Sequence, residues 1–156
     1  MHIKNLQATQ HISEHDIRMN PSCQQFQQFI ELINQRDLPS PIIDRINEHI
    51  DFLNNSRFTL ETYIKPLRQA QSKITNILAK ELKIVPINYY RNLWLALGLT
   101  TFGLPIGVAI GTILDNIGLL GIGLPFGSAI GYAVGTHLDK KAKEEGRLID
   151  IELKRV

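Results

Sequence analysis

Apolar residues between positions 20 and 85 recur every three or four residues, which places them on single faces of α-helices. Three such stripes follow one another: Phe26, Phe29, Ile30 and Ile33; then Ile42, Ile43, Ile46, Ile50 and Leu53; then Leu60, Ile64, Leu67, Ile74, Ile77, Leu78 and Leu82. Amphipathic helices bury such stripes against one another. We therefore predict a helical module over residues 20–85, preceded by a weakly structured N-terminus at residues 1–19.

Capping residues and prolines predict where the helices of this module begin. Asn20 followed by Pro21 indicates a helix start, because asparagine caps helices and proline is tolerated at the first helical position. Ser40 is predicted to cap the second helix in the same way. Pro66 either kinks the third helix or marks its beginning, and the sequence is compatible with both.

Two uncharged segments occupy the second half of the chain. Residues 93–114 and 117–136 lack Asp, Glu, Lys and Arg. As helices they would be about 33 and about 30 Å long, which matches a hydrocarbon core of about 30 Å. Only Asp115 and Asn116 separate them, so the segments must fold back on one another. We predict an antiparallel transmembrane hairpin over residues 86–138, with Asp115 and Asn116 as its turn.

The two segments are copies of one sequence. The nine residues that begin at Gly103 (GLPIGVAIG) match those that begin at Gly123 (GLPFGSAIG) at seven positions, which indicates an internal repeat. In each copy glycines recur every four residues and share one helix face. These residues are Gly103, Gly107, Gly111, Gly123, Gly127, Gly131 and Gly135. We expect the glycine faces to bring helices close together and to mediate homo-oligomerisation.

Basic residues flank the hairpin on both sides, whereas its turn contains none. Since Lys and Arg are enriched on the cytoplasmic side of membrane helices, we expect both termini in the cytoplasm. The predicted membrane-interface anchors lie at the two ends of the hairpin: Tyr89, Tyr90, Arg91, Trp94, Lys140 and Lys141. For the aromatic residues, packing against the helical module is the alternative. Residues 139–156 are predicted to be a charged cytoplasmic tail with a short helix that breaks at Gly146.

The sequence Tyr-Tyr-Arg-Asn-Leu-Trp precedes the first glycine segment, and Asp-Lys-Lys-Ala-Lys-Glu-Glu-Gly-Arg follows the second. With the tandem glycine segments between them, these motifs resemble small bacterial glycine-zipper membrane proteins. The resemblance covers about residues 84–152. It implies a multi-pass protein of the bacterial inner membrane, and it implies no catalytic activity.

Residues with catalytic or metal-binding chemistry are sparse and scattered. Cys23 is the single cysteine, which excludes an intrachain disulfide. His11 and His15 have metal-ligand spacing on a helix but lack a third ligand nearby. A net charge of +2, from 17 Lys and Arg against 15 Asp and Glu, does not favour a nucleic-acid-binding protein. We therefore expect no enzymatic activity and no metal, cofactor or nucleic-acid partner.

The sequence thus predicts an all-α protein in which a self-associating hairpin anchors a helical interaction module in a membrane. Its expected partners are the lipid bilayer, further copies of the chain, and an unidentified cytoplasmic protein that binds residues 20–85. The alternative is an oligomeric pore, for which the available polar lining is Thr100, Thr101, Thr112, Ser128 and Thr136. A soluble binding module with a buried hairpin is the third hypothesis.

Overall fold

The computed structural model describes residues 2–9 and 12–153, which are mainly helical, so the all-α fold class is confirmed. The chain divides into two compact units. The first unit contains Met1–Ile84 and Ile149–Val156, and the second contains Val85–Leu148. His11, one of the two histidines with metal-ligand spacing, lies outside the described residues.

The first unit contains four helices whose starts agree only in part with the predicted caps. They are α1 (Glu14–Met19), α2 (Pro21–Asn34), α3 (Ser40–Asn54) and α4 (Leu60–Ile77), and α4 continues as a π-helical turn (Leu78–Leu82). The Asn20 side chain accepts a hydrogen bond from the backbone N–H of Ser22 (2.9 Å) and starts α2 as predicted. Ser40 is instead the first residue of α3, because the Pro39 carbonyl already accepts from the Ile42 N–H at 2.9 Å. Pro66 lies inside α4.

The apolar stripes of α2, α3 and α4 converge on one core. Phe26, Ile46 and Leu67 are fully buried there, and so are Tyr63 and Cys23. Burial raises the pKa of the Cys23 thiol to about 11. The thiol is therefore protonated and unreactive near neutral pH.

The N-terminal residues carry more structure than their sequence indicates. Ser13 caps α1 through a capping box with Asp16, and this hydrogen bond lowers the pKa of the Asp16 carboxyl. Ile3, Leu6 and Ile17 are buried in the core of the first unit. Ile3 and Leu6 are three residues apart, as on a helix face, but residues 2–7 form neither helix nor strand, so periodicity does not explain their burial.

The second unit contains the two uncharged segments. Its elements are β1 (Val85–Pro86), α5 (Tyr89–Gly98), a π-helical turn (Leu99–Gly103), α6 (Leu104–Ile113), a 3₁₀-helix (Ile117–Ile122), α7 (Gly123–Glu144) and the start of β2 (Leu148–Ile149). Two stretches are long and apolar enough to cross a membrane, Tyr89–Ile113 and Ile117–Glu144, and an 18-residue segment within each has a mean hydropathy of 1.9 and 1.7, respectively. Residues 139–144 extend α7, so the charged tail does not begin with a helix of its own.

Candidate functional site: the glycine-lined hairpin

Helices α5 and α6 run antiparallel to α7, and glycines line the contact. Gly131 of α7 lies against the backbone of Trp94 in α5, whereas Gly123, two turns earlier in α7, lies against Gly107 in α6. Later residues of α7 therefore contact earlier residues of α5 and α6, as expected for antiparallel helices. The repeat of glycine-rich sequence therefore forms two facing surfaces within one chain.

At Gly107, Gly123, Gly127, Gly131 and Gly135 the backbones approach so closely that a methyl group has no room. A Cβ atom added at Gly127 would lie 2.5 Å from the Gly98 carbonyl oxygen and 2.6 Å from the Gly103 nitrogen. Contacts below 3.0 Å are essentially never made by real Cβ atoms. All seven glycines singled out in the sequence are buried: Gly103, Gly107, Gly111, Gly123, Gly127, Gly131 and Gly135. These faces are occupied by backbone of the same chain, and the expectation that they also join separate copies stays a prediction.

Gly98 belongs to the same contact, although it is five residues rather than four before Gly103. The extra residue is absorbed by the π-helical turn (Leu99–Gly103), which closes with i→i+5 hydrogen bonds. Both Gly98 and Gly103 therefore face Gly127. Gly98 does not fit the spacing of four that defines the glycine faces in the sequence. The spacing of five between Gly98 and Gly103 is the signal that indicates the π-helical turn.

The pattern of burial in the hairpin is the reverse of that in the core of a soluble protein. Its buried residues are glycines, together with Ala142, whereas large apolar side chains point outward. Val108 is 52% exposed and Phe126 is 57% exposed. The other exposed large apolar residues of the hairpin are Leu97, Phe102, Leu104, Ile113, Leu114, Ile117, Ile122, Leu124, Ile130 and Tyr132. They form an apolar surface on both helices.

Four hydroxyl groups of the hairpin donate to backbone carbonyls of their own helices. Thr112 donates to the Val108 carbonyl at 2.7 Å, Ser128 to the Pro125 carbonyl at 2.9 Å, and Thr136 to the Tyr132 carbonyl at 2.7 Å. Thr100 donates to the Ala96 carbonyl in the same manner. These donors are satisfied without water, so the surface tolerates an apolar solvent.

Three residues, Leu114, Asp115 and Asn116, connect α6 to the 3₁₀-helix, and they include the two that the sequence indicates. Asp115 has a left-handed backbone conformation (φ 49°), which aspartate adopts more readily than most residues. The Asn116 backbone N–H donates to the Gly111 carbonyl at 2.9 Å, and its side chain accepts from the Gly118 N–H at 3.0 Å. The first of these bonds ends α6, and the second starts the 3₁₀-helix.

Asp139 closes the opposite end of the hairpin. Its carboxylate accepts hydrogen bonds from the backbone N–H groups of Tyr90 and Arg91, at 3.0 and 2.9 Å. These are the first donors of α5, so Asp139 acts as a helix cap supplied by α7. We did not single out Asp139 from the sequence, although it ends the second copy of the motif Gly-Thr-x-Leu-Asp.

The predicted interface anchors all lie at the Asp139 end. The Tyr89 and Tyr90 rings meet edge to face, 5.3 Å apart. Trp94 and Arg91 are half-buried in α5. The anchors on α7 are exposed: the side chains of Lys140 and Lys141 are 77% and 60% accessible, with Glu144 and Glu145 each 4.0 Å away.

No family model, curated protein or solved structure matches the chain. Among residues 2–9 and 12–153, no group of three or more His, Cys, Asp and Glu side chains could hold a metal ion.

Proposed function

We propose that the second unit is an integral membrane hairpin, which anchors the first unit as a non-catalytic interaction module on the cytoplasmic face of a bacterial inner membrane. The observation that carries this proposal is the inverted burial of the hairpin. Large apolar side chains such as Val108 and Phe126 stay exposed while glycines are buried. Full burial of such a side chain contributes about 1.5–3 kcal/mol in water, of which these half-exposed side chains forgo roughly half, whereas lipid is a favourable solvent for this surface.

The distribution of charge supports the proposed orientation. Lys140, Lys141 and Lys143 are exposed where α7 leaves its apolar segment. The opposite end of the hairpin has Asp115 as its sole charged residue. The positive-inside rule then directs the lysine-bearing end, and both chain termini with it, to the cytoplasm.

The geometry favours an anchor over a pore. Glycine backbones fill the space between the two helices, so one hairpin encloses no channel. A pore would have to form between copies, and the hydroxyls of Thr112, Ser128 and Thr136 already donate within their own helices. The outer surface therefore presents few polar groups that could replace the hydration shell of an ion.

Charged substitutions on the outer surface test the proposal. We expect Val108→Glu combined with Phe126→Glu to abolish integration, because each charge in a helix centre costs about 3 kcal/mol in a membrane. Phe52→Glu is the matched control, since Phe52 is 61% exposed in α3 of the first unit. The measurement is resistance to alkaline carbonate extraction from membranes. Full extraction of the wild-type chain, or a double variant that resists extraction as firmly as the wild type, would contradict the proposal.

A further inference from the structure

Residues 2–7, which we call the arm, lie against α2 and α3 of the first unit without helical or strand structure of their own. Ile3 and Leu6 of the arm are buried, with exposed fractions of 4% and 7%. Lys4 forms an ion pair with Asp51 of α3 at 2.7 Å. The arm therefore occupies a groove that recognises two apolar side chains and one cation.

Three asparagine side chains bind the backbone of the arm. Each amide accepts from one arm N–H and donates to one arm carbonyl: Asn34 bonds to Ile3 (2.9 and 3.2 Å), Asn47 to Lys4 and His2 (2.8 and 3.4 Å), and Asn54 to Gln7 and Asn5 (2.9 and 3.1 Å). A side-chain amide carries the same donor and acceptor as a peptide group. The asparagines thus take the place of a neighbouring β-strand, and they form a built site for a peptide backbone.

We propose that this groove, defined by Asn34, Asn47, Asp51 and Asn54, also takes the arm of a second copy of the chain. Between the arm and α1, Thr9 and Ile12 exchange backbone hydrogen bonds, at 3.0 and 3.4 Å. Breaking these two bonds together with the bonds to the groove frees the arm from its own chain. The arm can make every one of these bonds with the groove of a second copy. The balance between binding its own groove and binding another therefore depends on the local concentration of chains.

Arm exchange provides a route to self-association that leaves the hairpin unchanged. The glycine faces are occupied by backbone of the same chain. Confinement to a membrane, which rests on the proposed function, raises the effective concentration of arms and grooves. The arm of a second copy has the same sequence as the arm that fills the groove in this structure, so it would make the same contacts.

Cross-linking between differently tagged full-length chains tests the exchange. One chain carries Lys4→Cys and the other carries Asp51→Cys, so a link through a short bismaleimide can form only between chains. The native Cys23 stays, because it is fully buried. We expect a heterodimer at several-fold the yield of a control pair in which Phe52→Cys replaces Asp51→Cys. Phe52 is exposed, and consecutive helix residues point in different directions. An excess of a peptide with the arm sequence HIKNLQ should reduce the yield.

A single chain with both Lys4→Cys and Asp51→Cys shows whether the two positions lie close together. If that chain cross-links internally while the mixed chains give no more heterodimer than the control pair, arm exchange is overturned. Carbonate extraction of the same samples reports on membrane integration separately. A heterodimer formed by chains that do not integrate would support arm exchange and contradict the proposed function.

Discussion

The carboxylate of Asp139 in α7 accepts a hydrogen bond from the backbone N–H of Arg91 in α5, at 2.9 Å and 48 residues away in sequence. The second carboxylate oxygen accepts from the neighbouring Tyr90 N–H at 3.0 Å. Two of the four orphan donors of α5 are thereby satisfied by another helix. These two bonds connect helices α5 and α7 at the end of the hairpin opposite the turn. They also place the Asp139 carboxylate at the positive end of the α5 dipole.

Asp139→Ala is expected to destabilise the hairpin by about 1 kcal/mol, the usual effect of losing a helix cap. Asp139→Asn keeps one acceptor oxygen and should lie between alanine and wild type. Thermal unfolding in detergent micelles measures both effects. Asp115→Asn is the matched control, because Asp115 holds the equivalent place in the first repeat and is exposed in the turn. Equal losses at the two positions would contradict the capping role.

Methyl groups at buried and open glycines should have opposite outcomes. A Cβ at Gly123 would lie 2.8 Å from the Gly107 Cα and still closer to the Gly103 carbonyl oxygen, whereas a Cβ at Gly121 meets nothing within 4 Å. Gly123→Ala should therefore separate the helices and lower the melting temperature. Gly121→Ala should be neutral or slightly stabilising, because alanine reduces the entropy of the unfolded chain. Similar melting temperatures for the two variants would show that the close approach is not needed.

Deletions should show that the π-helical turn maintains the glycine face. Removing Thr101 changes the spacing between Gly98 and Gly103 from five to four, which a regular α-helix keeps on one face. Removing Ala109 changes the spacing between Gly107 and Gly111 from four to three and rotates one glycine away. We expect the Ala109 deletion to lose more thermal stability in micelles than the Thr101 deletion. The reverse order would contradict this role of the turn.

The buried Cys23 thiol should make the first unit sensitive to alkaline pH. Its folded pKa is raised to about 11 from an ordinary value of 9.0. The resulting stability is present below about pH 9 and is lost as the pH rises through about 11. Between about pH 8 and about pH 10.5, the free energy of unfolding measured in urea should fall less in Cys23→Ala than in the wild type. Equal losses would mean that the thiol does not titrate in this range.

Helices α2, α3 and α4 and the two apolar helical stretches follow local rules and could be predicted from the sequence, whereas α1 and the π-helical turn before α6 were not. The stripe that contains Phe26 and Phe29 is buried as its period requires, and the two apolar repeats form helical stretches that are connected through residues 114–116. Periodicity and chain reversal are properties of neighbouring residues, so they can be read without coordinates.

The parts that could not be predicted depend on residues far apart in the chain. Asn34 and Asn54 bind the arm through side-chain amides, and nothing in their local sequence distinguishes them from solvated asparagines. The cap from Asp139 to Arg91 has the same non-local character. A glycine face by itself does not reveal whether the helix that packs on it belongs to the same chain or to another copy.

Two-sided labelling of the hairpin tests its membrane-spanning arrangement most directly. Single cysteines replace Asn116 in the turn and Lys143 beyond the apolar part of α7, and a membrane-impermeant maleimide is applied to right-side-out and inside-out vesicles from a bacterial expression host. We predict that the turn cysteine reacts only in right-side-out vesicles and the Lys143→Cys variant only in inside-out vesicles. Reaction of both cysteines from the same side would contradict a hairpin that spans the membrane.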